Sequence, residues 1–140
     1  MYLWLFRILM VIAVALNLYG TSIGNGQMVS FADWLFLLFT SFTIGCVIAL
    51  CLVYATLFAA GQKVKDMAKN ILAKNEERKK KSWYGLRVCV GRIWLFGFMA
   101  FMAYSGSPIL ATLSIVFVLM SYGLSSLITT KAKDVVAKEI

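Results

Sequence analysis

The chain has 140 residues, of which 61% are apolar and only 14% charged, with a net charge of +8. A soluble domain carries roughly 45–50% apolar residues and spreads its charge over its whole surface. The composition therefore excludes an ordinary soluble domain and predicts an all-α integral membrane protein, a single domain over 1–140 whose apolar surface faces lipid.

The first apolar run, Leu3 to Tyr19, is broken only by Arg7. At about 1.5 Å per residue it nearly crosses a hydrocarbon core of roughly 30 Å. A basic residue, an apolar core and then Ala13-Val14-Ala15 are also the ingredients of a signal sequence, but the expectation is a retained transmembrane helix over about 2–20. An uncharged connector follows, 21–30, with turn chemistry at Gly24-Asn25-Gly26. The second span is predicted over about 31–60. As a continuous helix it is about 45 Å long, so it must tilt or protrude. It carries Ser41, Gly45 and Ala49 at four-residue intervals, a small-residue ridge suited to helix packing in the bundle or between subunits.

Segment 61–82 is basic. Its Val64, Met67, Ala68, Ile71 and Leu72 recur at spacings of three and four, the stripe of an amphipathic helix. Glu76 with Lys80 and Glu77 with Lys81 stand at the favourable i,i+4 spacing. A helical extension is expected here, either as a stalk continuing the second span or as a helix lying on the membrane. Trp83 and Tyr84 mark a membrane interface. A third span is predicted over about 84–104, a tight hairpin at 105–108, a fourth span over about 109–128 and a charged tail over 129–140. Pro108 suits the first turn of the fourth helix, where its missing N–H leaves no bond unmade. The expected fold is thus four transmembrane helices as two hairpins with a basic helical segment between them.

Charge orients this fold. Segment 61–82 holds eight Lys or Arg against three acids, and the tail adds three lysines, whereas connectors 21–30 and 105–108 hold no Lys or Arg. Positive segments stay on the side of synthesis, which puts 61–82 and both termini in the cytoplasm. A bacterial inner membrane is the expected location.

Chemistry is sparse. There is no histidine, and Cys46, Cys51 and Cys89 all lie in apolar stretches, so neither a disulfide framework nor a His-based acid/base centre is expected. No catalytic residue, metal ligand or cofactor site is assigned. The pointed features are Arg7, Arg87 and Arg92, cations within apolar runs. Arg92 is the deepest, about 12 Å along the helix from Tyr84. Such cations either snorkel to lipid phosphates or meet a partner in the bundle, another subunit or a water-filled vestibule. Asp33, the one carboxylate near an apolar run, belongs to the opposite end. Any acid for Arg92 must therefore come from another protein, an anionic lipid or a ligand. Lys63, Lys65, Lys69, Lys74, Arg78, Lys79, Lys80 and Lys81 form a basic docking segment that attracts anionic lipid or an acidic protein face. Nucleic acid is not an expected partner.

Two functions follow. The leading one is a non-enzymatic structural or accessory subunit of an inner-membrane assembly, docking partners through the basic segment. The alternative is a self-assembling homo-oligomeric pore with a positively charged cytoplasmic mouth, where Arg92 favours anions.

Overall fold

The computed structural model describes residues 2–59 and 61–137, with side chains described from Trp4 onward. It is all-helical, with α1 (Tyr2–Ser22), α2 (Gly26–Thr56), α3 (Gln62–Lys80), α4 (Tyr84–Tyr104) and α5 (Pro108–Ala137). Four of these, α1, α2, α4 and α5, are long and apolar enough to cross a membrane. Ile48, Ile93 and Leu119 are among the many large apolar side chains that point outward. Lipid, not a protein core, covers such a surface, which makes this an integral membrane protein.

Three boundaries depart from the expected ones, each for a local reason. Helix α2 begins at Gly26 instead of 31, because the Asn25 Oδ1 accepts from the backbone N–H groups of Gln27 (3.1 Å) and Met28 (3.4 Å) and so caps it. At its other end α2 stops at Thr56. The N–H groups of Leu57, Phe58 and Ala59 turn back onto the carbonyls three residues earlier, the tightening that closes many helices. Gly61 then adopts φ +151°, open to glycine and strained for other residues. Helix α3 is therefore a helix of its own and not a continuation of α2; residue 60, the expected end of the second span, lies outside the described residues. Helix α5 runs to Ala137, through most of the expected tail, because Ile128, Ala132, Val135 and Val136 continue an apolar face at helical spacing. Residues 138–140 of that tail lie outside the described residues.

The chain divides into two compact units, Met1–Ile44 with Ile93–Val116, and Gly45–Arg92 with Phe117–Ile140. The first is built around aromatic rings. Phe6 stacks on Phe39 at 5.4 Å, Phe39 meets Phe98 edge-on at 4.9 Å, and Phe36 lies edge-on to Phe98 at 5.8 Å, geometries that ring quadrupoles favour. Beside them Thr40 donates to the Phe36 carbonyl (3.0 Å), leaving its oxygen to accept from the fully buried Ser114 hydroxyl at 3.0 Å. Helix α1 approaches α2 closely at Gly20, where a methyl group would stand 2.8 Å from Met28 Cβ. At the 105–107 turn, Ser107 reaches Asp33 at 3.4 Å.

The second unit has a different core. Leu57, Ala68, Ile128 and Ala132 are its buried centre, flanked by Leu50, Val53, Val64, Ile71, Leu72, Val135 and Val136. The predicted stripe of α3 is thus packed against α2 and α5. The Thr56 hydroxyl lies 3.8 Å from Met67 Sδ, and further along α3 the Asn75 amide donates to Thr129 Oγ1 at 3.2 Å. Lys131 Nζ sits over the Phe58 ring, 4.2 Å from its centroid, a cation–π contact that ties the turn after α2 to α5.

Candidate functional site

Among the described residues, no cluster of His, Cys, Asp or Glu is arranged to hold a metal ion. The polar chemistry of the chain gathers instead in a cavity of about 580 Å³ in the second unit. Helix α3 contributes Asn75 and Arg78, which are three apart and so share a face. Helix α4 contributes Tyr84, Arg87, Gly91 and Arg92. Helix α5 contributes Tyr122, Ser125 and Thr129, again at spacings of three and four. Leu50 and Val53 of α2, with Ile71, Val88 and Ile128, make the rest of the wall apolar.

Local geometry explains the convergence. After Lys80 the chain turns sharply through Lys81–Trp83, and Trp83 takes φ +66°, the left-handed conformation that bulky residues rarely adopt. The N–H of Tyr84 donates to the Lys81 carbonyl (3.1 Å) and that of Arg87 to the Trp83 carbonyl (2.9 Å), so α4 starts at once. Arg78, in the last turn of α3, and Arg87, in the first turn of α4, thereby line one cavity. Arg78 also stands with Lys79 and Lys80 at the negative end of the α3 dipole, where cations are favoured.

Inside the cavity Arg92 lies over the Tyr122 ring, with Cζ 5.1 Å from the centroid. The ring face orients the guanidinium without neutralising it. Further along the same face of α5, Thr129 accepts from the Asn75 amide and its hydroxyl in turn donates to the Ser125 carbonyl at 2.9 Å. Three permanent positive charges therefore border one space, and its described lining residues include no carboxylate.

Of the residues singled out in the sequence, Arg87, Arg92 and Arg78 are brought together here. Arg7 is exposed and belongs to the first unit. Lys63 and Lys74 border a shallow hollow along the neighbouring face of α3, with Asp66 and Asn70, while Lys79, Lys80 and Lys81 are exposed at its end. Lys65 is half-buried and Lys69 exposed. The residues of the small-residue ridge, Ser41, Gly45 and Ala49, are all exposed, and nothing described lies within 4 Å of a Cβ placed on Gly45. The inward face of α2 is instead the one carrying Ala32, Phe36, Phe39, Thr43 and Val47, where larger side chains provide more contact.

Sequence reasoning missed Asn75, Tyr122, Ser125 and Thr129. The signal was present, because Tyr122, Ser125 and Thr129 draw a polar line along one side of an apolar helix, a side that lipid does not favour. Compared with protein-family models, curated proteins and solved structures, the chain matches none.

Proposed function

We propose that this protein is a non-enzymatic accessory subunit of an inner-membrane assembly, with both termini in the cytoplasm, that docks an acidic partner on the basic face of α3. The observation that carries this reading is the two-sidedness of α3. Its apolar stripe is packed, with Ala68 0% exposed, while Lys63, Lys74, Lys79, Lys80 and Lys81 stand exposed. A basic segment that only set topology would need no such anchoring. A helix held by its apolar side offers a fixed array of charge, which loses little freedom when a partner binds. Exposed arrays of this kind act through long-range attraction and weaken as salt rises.

The test is the composition and intact mass of the complex extracted from its native membrane in mild detergent. Other polypeptides at a fixed ratio are expected, and Lys79→Gln/Lys80→Gln/Lys81→Gln should release them at lower salt than the parent. A lone monomer would sink the proposal. Several copies of this chain and nothing else would favour the homo-oligomeric pore, to be followed by conductance measurements on Arg92→Glu.

A further inference from the structure

A cavity bordered by three arginines, all exposed, and by no described carboxylate attracts an anion. Each guanidinium is a planar fork that stays charged at any physiological pH and pairs two N–H donors with two oxygens of a phosphate or carboxylate. Three such forks offer more donors than one carboxylate accepts and suit the three terminal oxygens of a phosphomonoester. The wall beside them is hydrocarbon, from Leu50, Val53, Val88 and Ile128. A small hydrated anion gains nothing from such a wall, whereas the acyl chain of a lipid packs against it without leaving hydrocarbon. The four residues lie on helices α2, α4 and α5, each of which is apolar and long enough to cross a membrane, so a lipid can enter sideways.

We infer that this cavity binds a phosphate group, presented by a membrane lipid in preference to free phosphate, with Arg78, Arg87 and Arg92 as its anion-binding side chains. Arg92 is the positioned member, held by the Tyr122 ring. The inference is independent of whether α3 docks a protein, since Lys79 to Lys81, which serve that reading, do not line the cavity.

The test is native mass spectrometry of the full-length protein in neutral detergent, titrated with phosphatidic acid, phosphatidylglycerol or phosphatidylcholine. One phosphatidic acid per chain is expected, bound more tightly than phosphatidylglycerol and about tenfold or more above phosphatidylcholine. Arg87→Gln/Arg92→Gln should abolish that preference, and Arg78→Gln should weaken it in part. Lys79→Gln/Lys80→Gln, which removes the same charge outside the cavity, should stay within about twofold of the parent, because a neutral detergent micelle holds no anionic surface for exposed lysines to attract and salt screens them from the single bound lipid. Arg92→Lys keeps the charge but not the fork, and an intermediate loss is expected with helicity and melting midpoint unchanged. Equal losses from the arginine and lysine pairs would overturn the site and leave only diffuse surface attraction. Arginine-dependent binding of inorganic phosphate that displaces the lipid would keep the pocket but overturn the lipid source.

Discussion

The two units of this protein solve the same problem with opposite means. Of the fourteen basic and six acidic side chains in the chain, only Arg7 and Asp33 belong to the first unit. That unit is held by phenylalanine rings, a buried hydroxyl pair and a close approach at Gly20. In the second, small alanines let α3 lie against α2 and α5, and around that seam are charges, an amide–hydroxyl link and a cavity. Lipid supplies no hydrophobic drive to bring helices together, so shape and interhelical hydrogen bonds must do so in the first unit. The second unit has an amphipathic helix whose apolar stripe is worth burying only if its other side is wet. The difference teaches where to look for function: the neutral unit leaves only a single buried amide nitrogen, Asn17 Nδ2, without a partner among the described residues, whereas the charged one gathers three arginines around a space with no described carboxylate.

The contrast should break most sharply at Ala68, fully buried under α3. Ala68→Glu forces a carboxylate into an apolar seam, and the penalty of about 3 kcal/mol or more is comparable to what holds α3 in place. Trypsin, which cuts after Lys and Arg, should then cleave within 62–81 far faster than in the parent, while the membrane-embedded fragments survive. Asn70→Glu adds the same charge on the exposed side of the same helix and should change little. Equal cleavage of both variants would mean that α3 is not held by its apolar stripe.

The four apolar spans were legible because hydropathy is a local property: each span is a run in the sequence, and Pro108 and Gly24-Asn25 punctuate the turns with side chains that act on their own neighbours. The end of α2 was not, because its apolar run continues past Thr56 without interruption. What stops it is the burial of Leu57 among residues of α3 and α5, a contact between positions far apart in the chain. The extension of α5 is written in the helical spacing of Ile128, Ala132, Val135 and Val136, but Lys131 and Lys133 between them end the continuous apolar run that marks a membrane span. The cavity was half legible. Arg92 announced a need for a partner, whereas the Tyr122 ring beneath it and the Asn75–Thr129 wall depend on how three helices meet.

A second, smaller effect sharpens the account of the neutral unit. At Gly20 an added methyl group would lie 2.8 Å from Met28 Cβ and 3.2 Å from the backbone nitrogen of Val29, so one helix must move. Gly20→Ala should cost about 1–2 kcal/mol, seen as a lower melting midpoint in nanodiscs. The clash is with a Cβ and not with the flexible end of the side chain. Met28→Gly should therefore restore part of the loss and Met28→Ala none of it. Rescue by alanine would place the close contact elsewhere.

The smallest effect concerns the buried pair Thr40 and Ser114, the one hydroxyl–hydroxyl bond described within the first unit. Thr40 already donates to the Phe36 carbonyl, so its oxygen serves Ser114 only as an acceptor. Thr40→Val removes that acceptor and leaves the Ser114 hydroxyl able to turn to a carbonyl on its own helix, which softens the loss. Interhelical hydrogen bonds in membranes are worth about 0.6 kcal/mol on average for this reason. A double-mutant cycle of Thr40→Val and Ser114→Ala, followed by unfolding in mixed micelles, should give a coupling of about that size. The same cycle on Asn75→Leu and Thr129→Val in the second unit should give a larger value, because Thr129 is tied at the same time to Ser125 and each member of that chain polarises the next. If the two couplings are equal, the polar wall of the cavity is no more cooperative than an ordinary helix contact, and the contrast between the units rests on charge alone.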